Sequence, residues 1–577
     1  MVLQLTILAK EKLKPQPPKP PVKAVQENTQ QALIPGEIKI SYPLLWLALA
    51  AIVLYFPSFS FGFTELDDSI FIRDFQEYNE HAANILGAFG RGLFNATKDP
   101  YYRPIFSDSM ILNYMISGIE IGSYHVVNVL LHIASILLLY KLFIKLHLKP
   151  LHTFVLCAIF TVHPVLTQAV AWIPGRNDTL LAIFVLAFFN HSIAFAEKGQ
   201  NKNLLLASLF LLLAFFTKET AVFAAPAAFV ILIVALQYPL KAKRSLILFV
   251  SWAACFAVWF TARSLATVHI ATQIERGKQV ADFFNRIPVI LQYLGKIFIP
   301  VNLSVFPTQQ DTVYYFGLIA IAILAALIYF SKAINWRMAL SGIGVFLLFL
   351  LPALLVPGNL NEQTFEHRLY LPMVGMLLLL SQTAFIKNFT DKILLVTASV
   401  IIILFAGINY KHQQHFSSPL SFWTQATETS PNSAYANMML GAREPEVQKS
   451  YDLFHKAYRL NPKEKYLNFY YGCMLQKRDS VIASEPYFLA EKNSSNYYEC
   501  DFYLARVAMM KSDTVGAINY LQTYLKRDEG NPQANNNLLL MYYTRRQIKE
   551  AKAQAAKMQV LGLPVPGELL QQLNALH

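Results

Sequence analysis

The chain has 577 residues, 55% hydrophobic and 15% charged, against the roughly 25% charged of an ordinary soluble domain, which excludes a single soluble globular fold and points to a membrane protein. A formal net charge of +13 raises nucleic acid as a partner, but many of the Lys and Arg fall in short loops at the ends of apolar runs, where membrane topology places them, so no nucleic-acid partner is expected. Cys157, Cys255, Cys473 and Cys500 lie far apart without CxxC or Cys/His spacing, so neither a zinc site nor a disulfide framework is indicated and no metal is assigned.

Residues 1–41 contain KPQPPKPPVK and lack the apolar core of a cleavable signal; they read as a disordered cytoplasmic tail rich in Pro and Lys. From residue 42 apolar runs take over, and a spanning helix needs about 20 residues. The candidate spans are 42–61, 124–146, 151–172, 179–196, 203–217, 220–239, 245–263, 313–332, 338–357, 370–386 and 393–410. Counted from a cytoplasmic N-terminus, alternate loops are basic: Lys141, Lys145 and Lys149; Lys198 and Lys202; Lys241, Lys243 and Arg244; Lys332 and Arg337; Lys387 and Lys392. The other face receives the acidic loop 62–123, GRND at 175–178, TKE at 217–219 and EHR at 366–368.

The run VILQYLGKIFIPVNL at 289–303 breaks the alternation if counted as a span, and is expected to be a re-entrant or interfacial helix on the outer side. About eleven spans over 42–410 then leave residues 411–577 on the same non-cytoplasmic face as the acidic loop. This tail reads as about four worn tetratricopeptide repeats, with helix, Asn/Pro turn and helix around Pro431, Pro462, Asn496 and Pro532, and small Ala426, Ala457 and Ala517 at the crossings.

Several polar clusters could carry chemistry, and each also has a bland structural role. Asp67 and Asp68 are either solvated acids or a pair in which one carboxyl is raised enough to act as a general base. Arg103 is a snorkelling anchor or a phosphate contact. His163, before Pro164, is a satisfied group at a helix kink or an intramembrane functional histidine. Arg176 precedes a helix that Asp178 caps, Lys218–Glu219 is a paired hairpin turn or part of a site, and His367 and Arg368 are interface anchors or site cations. Acids with several cations on one face suit the departure of a phosphate, because the cations neutralise charge where it develops.

FTELDDSIFI, YYRPIFSDSMILNYMISG, YHVVNVLLH, HPVLTQAVAWIPGRNDTLLA, TKE and EHRLYLPMVG occur in the order seen in the transmembrane and tetratricopeptide-repeat O-mannosyltransferases and their bacterial relatives, which the chain resembles over 42–410 and, by architecture, in its repeats. The resemblance implies an all-α polytopic GT-C fold followed by an α-solenoid, and an inverting hexosyltransferase, with mannose the expected sugar. The donor would be a polyprenyl-phosphate hexose and the acceptors Ser/Thr hydroxyls of exported proteins held by the repeats, with no further cofactor. It also implies Asp67 as general base with Asp68 its partner, and Arg103, Arg176, Lys218, Arg368, His163 and His367 around the donor phosphate. Short loops like those of the bacterial relatives place the chain in a bacterial inner membrane with the repeats periplasmic. Two alternatives stay open: a transferase acting on a cell-envelope glycan or lipid, and a membrane-anchored repeat scaffold.

Overall fold

The computed structural model describes residues 38–94, 101–267, 283–355 and 363–575. The tail expected over 1–41 lies outside the described residues except for its last few. Among the described residues six helices are long and apolar enough to cross a membrane: Pro43–Ser60, Ile121–Lys145, Ile173–Lys198, Lys243–Ala266, Trp336–Leu354 and Asp391–Phe416. Within a bilayer the backbone can be satisfied only internally, so apolar runs of this length fold as helix.

The expected span over 151–172 is broken. Pro150–Val162 and Pro164–Ala171 meet at 52° because Pro164 has no N–H to continue the ladder and drives His163 into an extended conformation (φ −61°, ψ 121°). Four further expected stretches are shorter helices: Asn201–Thr217, Glu219–Ala235, Tyr315–Tyr329 and Tyr370–Leu380. At 1.5 Å per residue, the 11 residues of the last of these reach only about 16 Å, so it cannot cross the hydrocarbon alone.

The run at 289–303 forms a ten-residue helix, Val289–Phe298, about 15 Å long and thus half the hydrocarbon thickness, which suits a re-entrant element. It lies against Tyr315–Tyr329 so closely that a Cβ on Gly317 would come within 2.1 Å of the Leu291 carbonyl. Helices Trp336–Leu354 and Tyr370–Leu380 approach in the same way at Gly342 and Gly375, where a Cβ on Gly375 would meet the Phe346 nitrogen at 2.3 Å. Small residues permit such contact where no water drives association.

Beyond Phe416 the chain becomes a row of helix pairs. They are Pro419–Thr429 with Ala434–Gly441, Val447–Leu460 with Leu467–Lys477, Glu485–Ser495 with Glu499–Met510, Thr514–Leu525 with Pro532–Thr544, and Ile548–Val560 with Gly567–Ala575. This is one pair more than the expected count of about four, since the turn within the last pair departs from the Asn/Pro form of the others. The turn chemistry explains the boundaries. Ser433 and Asn531 cap their helices by accepting from Ala436 N (3.1 Å) and Ala534 N (3.0 Å), and Pro532 starts its helix.

The first pair does not hang free. Gly62 N donates to the Ser417 carbonyl (2.9 Å) and Trp423 Nε1 to the Thr64 carbonyl (3.1 Å). One apolar cluster contains Phe61, Leu66 and Trp172 together with Phe306, Phe365, Phe422 and Trp423. The acidic loop and the repeats therefore occupy one face, so the chain between residues 62 and 416 crosses a bilayer an even number of times. Cysteines placed at exposed Glu77 and Ser512, in a background without the native cysteines, should both react with a membrane-impermeant maleimide from the same side of sealed vesicles. Labelling from opposite sides would overturn this arrangement.

Candidate active site

Between the membrane region and the first two repeat pairs lies a cavity of about 1300 Å³. Asp67, Arg103, Lys218, His367 and Arg368 line it, together with Trp172, Asp178 and Glu219 from the membrane region and Tyr435, Glu464 and Lys465 from the repeats. Five of the eight residues singled out in the sequence thus meet at one opening, although they are spread over some 300 positions of chain.

Asp67 sits in a segment of unusual backbone. Both Glu65 (φ 57°) and Asp67 (φ 68°) occupy the left-handed region, which side-chain-bearing residues adopt at a cost unless their surroundings impose it. The Asp67 carbonyl accepts from Phe71 N (3.1 Å), opening the short helical turn that follows. Burial pushes the Asp67 carboxyl up to about 6, with the Arg103 guanidinium pulling the other way. A carboxyl in that range is ionised at neutral pH yet basic enough to take a proton.

Asp68 does not line the cavity. It is buried, and its carboxylate accepts from Thr64 N (2.6 Å), Thr64 Oγ1 (2.8 Å) and Ser69 N (2.9 Å). Burial pushes its carboxyl up to about 6 against those three donors, with the neighbouring Asp67 charge adding to the rise. With its oxygens engaged by Thr64 and Ser69, Asp68 shapes the turn on which Asp67 is mounted and does not face the cavity beside it, where the catalytic pair expected from the sequence would place it.

The cations are balanced by acids. Arg103 Nε and Nη2 both reach Glu219 Oε2 at 2.9 Å, and Glu219 Oε1 accepts from Tyr102 N (2.9 Å). Lys218 Nζ donates to Asp178 Oδ1 (2.7 Å), and His367 Nε2 lies 4.0 Å from Asp178 Oδ2. Arg368 makes no ion pair among the described residues. It donates to the Gln363 carbonyl (3.1 Å) and its guanidinium stands 5.7 Å from the centre of the Phe365 ring. Asp178 does not take the capping role expected of it: Gly175 stands at the N-cap of the Arg176–Lys198 helix without a side-chain cap bond, and the Asp178 carboxylate, in the first turn, fixes Lys218 instead.

His367 is oriented by Gln168, whose Oε1 accepts from the backbone N of Glu366 (2.9 Å) and His367 (3.1 Å) and lies 3.2 Å from His367 Nδ1. Glu366 is fully buried and accepts from Lys296 Nζ (2.6 Å) and Ser304 N (2.7 Å), tying the EHR turn to the Val289–Phe298 helix and the segment after it. Sequence reasoning passed over Glu219, Glu366 and Gln168 as site-builders. Glu219 and Glu366 were in view as the acids of TKE and EHR, whereas Gln168 had no signal beyond its motif.

Arg176 and His163 lie elsewhere. Arg176 is completely buried and donates to Asn128 Oδ1 (2.8 Å), Asn113 Oδ1 (2.8 Å), the Tyr124 carbonyl (3.0 Å) and the Ser109 carbonyl (3.1 Å). Its donors are spent on neutral acceptors from two other helices, so it is a brace, not a phosphate ligand. His163 Nε2 donates to the Ile297 carbonyl (2.9 Å) and Nδ1 accepts from Val165 N (3.3 Å); it closes the proline break and has no free nitrogen for a donor.

Residues 106–263 match a family model described as dolichyl-phosphate-mannose-protein mannosyltransferase. Protein O-mannosyl-transferase TMTC4 of Mus musculus is 31% identical over 148 residues, 23% of this chain and 20% of the relative. Protein O-mannosyl-transferase TMTC1 of the same organism is 33% identical over 156 residues, 26% of this chain and 17% of the relative. Residues 106–263, part of the membrane region, are similar to the protein O-mannosyltransferases. The chain's matches span about a fifth of the length of these mannosyltransferases. Of the cavity residues, Lys218, Asp178 and Glu219 fall inside the matched mannosyltransferase segment, while Asp67 and Arg103 precede it and His367 and Arg368 follow it. Among solved structures, the chain is similar to YrrB, described as a TPR protein with an unusual peptide-binding site, at 18% identity and a TM-score of 0.24 over 31% of this chain and 90% of that one.

Replacing Arg176 by Met should unfold the protein at markedly lower temperature, by the equivalent of at least about 3 kcal/mol, because each buried acceptor left unpaired costs about 1–3 kcal/mol. Arg368→Met, at the cavity wall, should leave the melting temperature within a few degrees. Thermal unfolding in detergent compares them, and an unchanged melt for Arg176→Met would return Arg176 to the donor set.

Proposed function

We propose that the protein is an integral-membrane inverting glycosyltransferase that moves a hexose, mannose by preference, from a polyprenyl-phosphate donor to Ser/Thr hydroxyls of exported proteins. The observation that carries this reading is the cavity itself: a raised carboxyl at Asp67, three cations and a histidine on one wall, and repeat helices on the other. The relationship to mannosyltransferases favours the sugar and the lipid phosphate. The repeats at the mouth favour a polypeptide acceptor over an envelope glycan, because helix-pair arrays present extended concave surfaces. A bacterial inner membrane, with acidic loop and repeats periplasmic, is the setting that the short loops and the basic alternation favour.

In this mechanism the acceptor hydroxyl attacks the anomeric carbon of the sugar while Asp67 takes its proton. The bond from that carbon to the phosphate oxygen breaks on the opposite side, and the electron pair leaves with the lipid phosphate. Arg368, which has no acid to itself, stabilises the growing phosphate charge directly, and Lys218 and Arg103 do so while sharing Asp178 and Glu219. Those acids keep the cations ordered before the donor arrives, so little reorganisation is left for the chemical step.

Incubating the purified full chain with a panel of polyprenyl-phosphate hexoses and exported proteins, read by mass shift, tests the assignment; no transfer from any donor would sink it. With the active donor, Asp67→Asn should cost about 100-fold to 10,000-fold in rate, the range for a lost general base. Asp67 must be ionised to act, so kcat/KM should fall about tenfold per pH unit below about 6. Arg103→Gln removes the charge that favours the carboxylate, so the acid limb should move to higher pH; movement to lower pH would contradict the placement of Arg103 beside the base.

A further inference from the structure

The loop that carries Asp67 is built from residues whose conformation the loop itself does not favour. Glu65 and Asp67 both take positive φ, and the tight path between them holds only while neighbouring groups impose it. Those groups come from two directions. On the membrane side, Trp172 Nε1 donates to the Leu66 carbonyl at 2.9 Å. On the other side three contacts come from the first repeat pair and its junction, beside a 4.0 Å pair between Glu65 and Arg73 of the loop itself. Trp423 Nε1 donates to the Thr64 carbonyl (3.1 Å), the Ser417 carbonyl accepts from Gly62 N (2.9 Å), and Arg443 Nη2 meets Glu65 Oε2 at 2.5 Å.

Arg443 is itself well fixed. Nη1 donates to the Met439 carbonyl (2.7 Å), closing the end of the Ala434–Gly441 helix, and the guanidinium stands 5.8 Å from the centre of the Trp423 ring. Its side chain is only 16% exposed, and Trp423 is fully buried. The pair therefore transmits the position of the repeat to the Thr64 carbonyl and the Glu65 carboxylate, three and two residues before Asp67, without lining the cavity.

We propose that the first repeat pair is a clamp that holds the Asp67 loop in its working geometry, with Arg443 and Trp423 as positioning residues. The repeats are then part of the machinery that sets the base, in addition to any part they take in holding acceptors. The catalytic consequence rests on Asp67 being the base, whereas the clamp itself does not. The charged and titratable groups facing Asp67 are Asp68 beside it, Arg103 from the end of the acidic loop, and Tyr435 from the first repeat pair.

Hydrogen exchange of the full chain in detergent reads the clamp without any activity. In Arg443→Met, amides of residues 62–71 should exchange about tenfold faster or more while those of the Ile173–Lys198 helix keep their protection, and Arg443→Lys, which retains the charge, should keep most of it. In parallel, kcat should fall at least about tenfold with the KM for the lipid donor within about twofold, and the acid limb should move to lower pH as water reaches Asp67. That direction is opposite to the shift expected for Arg103→Gln. Should Arg443→Met not fold, Glu65→Gln loosens the same ion pair from the partly exposed side and is read identically. Unchanged exchange over 62–71, or a raised donor KM at constant kcat, would overturn the clamp. Faster exchange in a protein that transfers hexose from no donor would leave the clamp standing and remove the transferase reading, the base assignment with it.

Discussion

Partial desolvation of the Asp67 carboxyl, which lines the cavity beside the first repeat, is the constraint on which the arrangement of the cavity depends. An acid at the membrane edge with free access to water would titrate near 4 and make a poor base, while one sunk wholly in the hydrocarbon would stay protonated. Asp67 lies between these limits because Phe61, Leu66 and Trp172 join with Phe306, Phe365 and Trp423 in one apolar cluster over the loop. Neither half of the molecule supplies that cover alone. The aromatic residues of the repeat complete a desolvated wall that the membrane helices leave open.

The opposite wall follows from the same requirement. Removing Arg103 and Lys218 from water without partners would be costly, and a cavity of uncompensated cations would repel itself in the absence of donor. Glu219 and Asp178 answer both problems at distances of 2.9 and 2.7 Å. Arg368 is left with the Gln363 carbonyl, the Tyr293 hydroxyl and the Phe365 ring, none of them an acid, which give weaker compensation and leave its charge available. The wall is therefore graded, with two cations held in place and one more open to an incoming anion.

Much of this was legible in the sequence. Apolar runs separated by alternating basic loops located the helical stretches; the acidic loop and the repeats fell on one face, as the contacts of Gly62 with Ser417 and of Trp423 with Thr64 also require, and Glu219 of TKE meets Arg103 of that loop. Asp67, Arg103, Lys218, His367 and Arg368 came from that face. Arg176 and His163 could not be sorted from them, because sequence shows that a polar group is present in an apolar run but not which acceptors the fold brings to it. Arg176 is satisfied by Asn113, Asn128 and two carbonyls from other helices, contacts separated by 48 to 67 residues of chain. The last helix pair was not counted because the turn between its helices, GLPVPG at 562–567, departs from the Asn/Pro form at Pro431, Pro462, Asn496 and Pro532 by which the others were recognised.

The motif HPVLTQAVAWIPGRNDTLLA thus acquires a different meaning. Its His163 closes a proline break, Gln168 orients the EHR turn, Trp172 holds the Leu66 carbonyl, and Arg176 ties three helices together. Only Trp172, Asn177 and Asp178 of its polar and aromatic residues reach the cavity. In water such joints could be hydrated and many side chains would serve. At membrane depth every broken helix end and every buried carbonyl needs a protein partner, so the set of tolerated residues at each joint is small. A distinctive motif in a membrane protein can therefore arise from the demands of bracing as readily as from chemistry. Here the residues proposed to carry the chemistry lie on the acidic loop and on the TKE and EHR turns, which the motif braces.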